Sequence, residues 1–156
     1  MRALERACSL HRVKFQEGSE VKDLTIENNA IIGAKVLNAT GEIKEINCEK
    51  AILCSGSWSK KVLSKIPVFP VKGQMLSVQG PTNFLKRVLF GPTTYLVPRD
   101  DGLIVVGATV EKDAEFNHGN TPDGISQLQE GIQSLLPEAT NWPQMEHWWG
   151  FRPVSY

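Results

Sequence analysis

Apolar and polar positions follow two rhythms along this chain, and the changes between them mark out its elements. From Thr93 to Val110, TTYLVPRDDGLIVVGATV, two β-prone runs (Tyr95 to Val97 and Leu103 to Val106) flank Arg99-Asp100-Asp101-Gly102. This predicts a β-hairpin. Pro98 cannot donate to a ladder, so the first strand lies at an edge or ends there. The LIVV run is apolar throughout and predicts a central strand covered on both faces. Gly107 after it leaves room for a close approach.

The same reading extends in both directions from the hairpin. Arg2 to Leu10 carries Leu4, Ala7 and Cys8 on one helical face and predicts a short amphipathic helix; it has no cap, which leaves open a start upstream. His11 to Phe15 alternates and predicts a strand. Val21 to Glu27, Ala30 to Leu37 and Ile43 to Cys48, separated by Asn28-Asn29 and by Asn38-Ala39-Thr40-Gly41, predict a three-stranded antiparallel meander. Ala51 to Cys54 lacks alternation, as a strand buried on both faces would, and runs through Ser55-Gly56-Ser57-Trp58 into a short helix over Ser59 to Ser64. In open α/β sheets ligands sit beyond the carboxyl ends of such strands, although most strand-to-helix turns need a glycine for geometry alone.

Pro67 and Pro70 keep the next segment extended, and Lys72-Gly73-Gln74 leads into a strand over Met75 to Val78. After the hairpin, Glu111 to Asn120 reads as a loop. Thr121-Pro122-Asp123 is a helix start, with an N-cap, a proline at the first position and an acid in the first turn. Ile125, Leu128, Ile132, Leu135 and Leu136 keep one face apolar until Pro137 stops the helix. Met145 to Arg152, MEHWWGFR, predicts an aromatic β-strand, after which the chain stops as if cut in mid-fold.

Composition narrows the function. Lys+Arg and Asp+Glu are 17 each in 156 residues, so there is no electrostatic footprint for nucleic acid or an anionic membrane surface. No apolar run reaches the length of a membrane span and no signal-peptide core is evident, which predicts a cytoplasmic protein. Cys8, Cys48 and Cys54 form no CxxC pair, and His11, His118 and His147 show no metal-ligand spacing, so no metal site is expected. Asn38-Ala39-Thr40 fits a glycosylation sequon and reads as incidental. There is no GxSxG elbow, Walker loop or GxGxxG, and no catalytic side chain is assigned. Tyr95 at the start of the hairpin and Arg152 among aromatic neighbours stand out. An arginine held there offers a permanently charged fork suited to a carboxylate, or else pairs with an acidic neighbour or stacks on Trp148.

The segments AILCSGSWS, PVKGQMLSV, TTYLVPRDDGLIVVGATVE, the LLPE at the end of the long helix and WWGFRP follow one another as in FAD-dependent glycine oxidases of the D-amino acid oxidase family. The chain resembles that family from about Leu10 to its last residue. The resemblance implies an α+β fold: an antiparallel substrate-domain sheet flanked by helices, plus a β-meander and a strand belonging to an incomplete Rossmann-like FAD domain. It implies that residues 1–65 are part of the FAD-binding domain and 66–156 a C-terminally truncated substrate-binding domain. The chain thus looks like the middle of a longer protein, without the glycine-rich phosphate loop and the closing C-terminal segment. Alone, it is expected to bind FAD weakly or not at all and to be inactive.

Carried over by position, Arg152 matches the arginine that binds the substrate carboxylate, Tyr95 a tyrosine lining the substrate pocket, and Val110 a pocket-wall residue. Val21 matches a residue meeting FAD through its backbone, and Ser55, Gly56 and Trp58 the turn beside the cofactor. The activity implied is oxidative deamination of glycine or a related small amino acid or amine with release of hydrogen peroxide, feeding thiamine thiazole synthesis as glycine oxidases do. A sarcosine or D-amino acid oxidase or dehydrogenase, or a non-catalytic fragment serving as an association module, are the alternatives. No nucleic-acid or membrane partner is expected, and a homo-oligomer is left open.

Overall fold

The computed structural model describes residues 2–155. It divides into two compact units, one of residues up to Cys54 with Lys61–Lys65, the other of Ser55–Lys60 with Ile66 onward.

In the first unit, helix α1 (Arg2–Leu10) precedes the antiparallel meander β1 (Glu20–Glu27), β2 (Ala30–Leu37) and β3 (Ile43–Asn47), with β2 central. Asn28 and Asn29 both take positive φ, 49° and 64°, which a tight hairpin turn requires and asparagine tolerates. In the second turn Asn38 Oδ1 accepts from the N–H groups of Thr40 and Glu42. That role as turn staple accounts for the asparagine of the sequon. Two expected strands do not form. His11 to Phe15 is a turn followed by unpaired chain, with Val13 and Phe15 each 49% exposed. Ala51 to Cys54 is also unpaired, and Ile52 is 91% exposed. A strand apolar on both faces draws its ladder from neighbours on either side. Among the described residues neither segment has one.

The second unit is an antiparallel sheet in the order β5-β6-β7-β4-β8, built from β4 (Val68–Gln79), β5 (Leu89–Phe90), β6 (Tyr95–Pro98), β7 (Leu103–Gly107) and β8 (Gln144–Ser155). The expected hairpin is β6–β7, closed by Gly102 at φ 88° and by Arg99 N–H donating to the Leu103 carbonyl. Helix α2 (Ser59–Val62) is shorter than expected. Helix α3 (Pro122–Leu135) packs on one face of the sheet, where Leu76, Val78, Leu96, Ile104, Val106, Leu128 and Ile132 form the core.

That one-sided cover corrects the expectation for the LIVV run. Ile104 and Val106 are buried, but Leu103 and Val105 on the opposite face are only half-buried. β4 is also longer than expected, running through Pro70, which lies opposite Pro153 of β8. β7 pairs with β4 only from Met75 to Gln79, so at Pro70 no ladder bond toward that side is lost.

Candidate functional site

The sheet face opposite α3 carries a cavity of about 250 Å³ whose lining includes Gly73, Met75, Tyr95, Ala108, Trp148 and Arg152. The strand register explains its composition. Tyr95 pairs with Gly107, Gly107 with Met75, and Met75 with Trp148, so a single row across four strands forms one end of the cavity. A Cβ on Gly107 would lie 2.7 Å from Met75 Cε and 2.8 Å from Tyr95 Oη. The close approach expected at this glycine is made by those two side chains.

Arg152 enters from β8, where it pairs with Val71. Its guanidinium lies over Gly73, since a Cβ there would sit 2.9 Å from Arg152 Nη2, and Nη2 donates to the Thr109 carbonyl at 2.7 Å. Among the described residues Arg152 makes neither an ion pair with a carboxylate nor a stack on Trp148. One donor direction is committed to a neutral carbonyl. A guanidinium carries further N–H donors in the same plane, and a carboxylate is the anion they fit.

Beneath the arginine lies a polar network that sequence reasoning missed. Gln74, fully buried, donates from Nε2 to Glu111 Oε1 and to Thr121 Oγ1, each at 2.8 Å. Its Oε1 accepts from Thr121 N–H at 2.7 Å and from Asn120 Nδ2 at 3.3 Å. Thr109 Oγ1 accepts from Gln74 N–H at 2.9 Å and donates to Glu111. Thr121 is also the N-cap of α3, accepting from Gly124 N–H at 3.2 Å. Lys72, fully buried, makes no hydrogen bond from Nζ among the described residues, and its ionic contact with Glu111 Oε2 is long at 3.9 Å. The available signal was phase: Lys72 and Gln74 share the alternation of Leu76 and Val78, so they are core positions and not a connecting turn.

The other expected site residues are more scattered. Val110, 60% exposed, lies outside the residues lining the cavity. Val21 lies on β1, an edge of the first unit's meander, at an irregularity between Val21 and Asp23. Ser55 is half-buried, with Oγ 3.4 Å from Ser59 Oγ, and opens a 3₁₀ turn over Gly56–Trp58. Gly56 has φ 50° and an added Cβ would meet nothing within 4 Å, so the backbone of this turn faces open space. Trp58 stacks on Phe116 at 5.2 Å and meets Phe151 edge-on at 5.7 Å. It therefore packs the turn against Phe116 and β8 within the second unit. His118 joins the same aromatic cluster, 4.7 Å from Trp149, and among the described residues no group of His, Cys, Asp and Glu could hold a metal ion. No described helix is long and apolar enough to cross a membrane.

A small cavity on an antiparallel sheet thus has an arginine fork at one side and aromatic walls. The chain belongs to the FAD dependent oxidoreductase (DAO) family, whose model matches residues 1–156. It is 40% identical over 156 residues to the bifunctional protein ThiO/ThiG of Synechocystis sp., covering 97% of this chain and 23% of that protein. It is 32% identical over 147 residues to the glycine oxidase of Pseudomonas aeruginosa, covering 92% of this chain and 39% of that enzyme. The crystal structure of glycine oxidase from Bacillus cereus superimposes with a TM-score of 0.82 at 30% identity, over 99% of this chain and 43% of that one. The chain thus spans less than half the length of each of these relatives.

Proposed function

We propose that the protein containing this chain oxidises glycine or a related small amino acid or amine with FAD, releasing hydrogen peroxide, and that it serves thiamine biosynthesis. The observation that carries this reading is the joint presence of Arg152 and Tyr95 in one small cavity, in a chain of the FAD dependent oxidoreductase family. On this reading residues 66–156 form the substrate-binding domain and residues 1–65 part of the FAD-binding domain.

Within that reading, Arg152 binds the substrate carboxylate by charge-assisted hydrogen bonds and so sets which end of the molecule enters first. Tyr95, Met75 and Trp148 wall the remaining space. A volume of about 250 Å³ holds glycine and larger amino acids alike, so the carboxylate clasp and not the volume carries the reading. The walls are chiefly apolar while Arg152 itself is exposed, so its hold on the anion rests on charge-assisted hydrogen bonds. Holding the α-carbon in one orientation is the chain's contribution, and orientation of this kind accounts for much of the rate in such reactions. The backbone of the Ser55–Gly56 turn faces open space, which leaves room for a cofactor beside it. Bound FAD would supply the hydride acceptor for the substrate α-carbon and the route of the electrons to oxygen. The resulting imine hydrolyses in water, which calls for no acid–base side chain in the cavity.

A peroxide-coupled assay of the FAD-loaded protein against glycine, sarcosine, D-alanine, D-proline and methylamine tests the reading. Glycine should be oxidised and methylamine, which lacks the carboxylate, should not. Equal turnover of methylamine and glycine would refute the role given to Arg152. Preference for sarcosine or a D-amino acid would assign the protein to that neighbouring activity.

A further inference from the structure

We propose that Thr109 and Glu111 are positioning residues for Arg152: the frame that binds them to Gln74 and Lys72 aims the carbonyl that orients the guanidinium. The proposal rests on the reading that Arg152 receives the substrate carboxylate.

Arginine is rotamer-rich, and Arg152 lies in β8 at the edge of the sheet, so its backbone alone does not set where its fork points. Among the described residues, the Thr109 carbonyl is the hydrogen-bond acceptor that holds it. Thr109 in turn is fixed at every polar atom. Its N–H donates to the Gln74 carbonyl at 3.2 Å, and its hydroxyl accepts from Gln74 N–H while donating to Glu111. Glu111 closes the frame: its N–H donates to the Lys72 carbonyl at 2.9 Å and its carbonyl accepts from Lys72 N–H at 3.1 Å. The segment 109–111 is thus strapped against 72–74, with the Thr109 carbonyl crossing above Gly73 to reach Arg152.

The choice of residues argues for aim over mere cohesion. Thr109 is 1% exposed, Gln74 and Lys72 are fully buried, and the Glu111 side chain is 27% exposed. A buried ion pair of this kind contributes little net stability compared with apolar residues of the same volume, and in some proteins it serves to fix one geometry. Here Gln74 and Thr109 have their hydrogen-bonding groups engaged, so the network holds one arrangement instead of several. The same Gln74 amide engages Thr121 at the N-terminus of α3, so the aim of Arg152 is referred to the helix as well as to the strands.

The test uses the flavin-loaded protein and acetate, a carboxylate with no amine to oxidise, with its Kd read from the flavin absorbance change and from calorimetry. Thr109→Val and Glu111→Gln should each raise the acetate Kd about tenfold, the scale expected when a binding group is misplaced by a fraction of its length. Thr109→Ser, which keeps the hydroxyl, should stay within about twofold of wild type. In an Arg152→Leu background neither Thr109→Val nor Glu111→Gln should add a further loss, because the group they aim is gone. An unchanged Kd in both variants, or the same loss in the Arg152→Leu background as in wild type, would overturn the proposal. So would loss of flavin retention by both variants, which would assign the frame to folding. Failure of Arg152→Leu itself to weaken acetate is a different result, and would overturn the carboxylate reading on which the proposal stands.

Discussion

Gly73→Ala separates the binding role of Arg152 from the stability of the sheet. The new methyl would lie 2.9 Å from Arg152 Nη2 and 3.2 Å from the Thr109 carbonyl oxygen, both inside ordinary van der Waals contact. The carbonyl belongs to a residue whose N–H and hydroxyl are bound to Gln74 and Glu111, whereas the guanidinium is the far end of a long side chain. The arginine is therefore what moves. Complete loss of a hydrogen bond to a charged group costs about 1.5–3 kcal/mol. A displaced fork that keeps part of its bonding should forfeit about half of that, or about 4- to 12-fold in affinity. Alanine is also the better strand residue, so the fold should change by less than about 1 kcal/mol. Steady-state peroxide kinetics with glycine, beside a thermal melt of the same preparation, would read both quantities. A KM near the wild-type value would show that the guanidinium does not occupy the space above Gly73, and a collapsed melt would show that Gly73 serves the sheet instead.

Further expectations concern the scaffold. Leu128→Ala on α3, at a fully buried position facing the sheet, should lower stability by about 2–5 kcal/mol in a denaturant titration. Thr121→Ala removes the α3 cap and an acceptor of Gln74, and should cost about 0.5–2 kcal/mol or somewhat more, with a measurable rise in KM if the frame reaches Arg152.

Local chemistry made some elements readable from sequence. Asn28-Asn29 and Arg99 to Gly102 announce their turns because positive φ restricts the residue types that fit. Thr121-Pro122-Asp123 announces α3 because the orphan N–H groups of a first turn need an oxygen close by. Ala51 to Cys54 has the composition of a central strand and still forms none, because strand formation depends on a neighbour that local composition does not contain. β4 extends beyond Met75 to Val78 because Lys72 and Gln74, polar in sequence, are buried once the sheet folds. Tyr95 and Arg152, separated by 57 positions in the chain, could be paired only through resemblance. The register of β6, β7, β4 and β8 brings them to one cavity, and no periodicity in either segment encodes that pairing.

The central claim is that Arg152 receives the substrate carboxylate, and Arg152→Leu tests it most directly. Steady-state kinetics on the flavin-loaded protein should show KM for glycine raised by about 10- to 150-fold, the equivalent of about 1.5–3 kcal/mol for a lost charge-assisted pair, with flavin content retained. A KM within about twofold of wild type at full flavin occupancy would contradict the account and remove Arg152 from the substrate site.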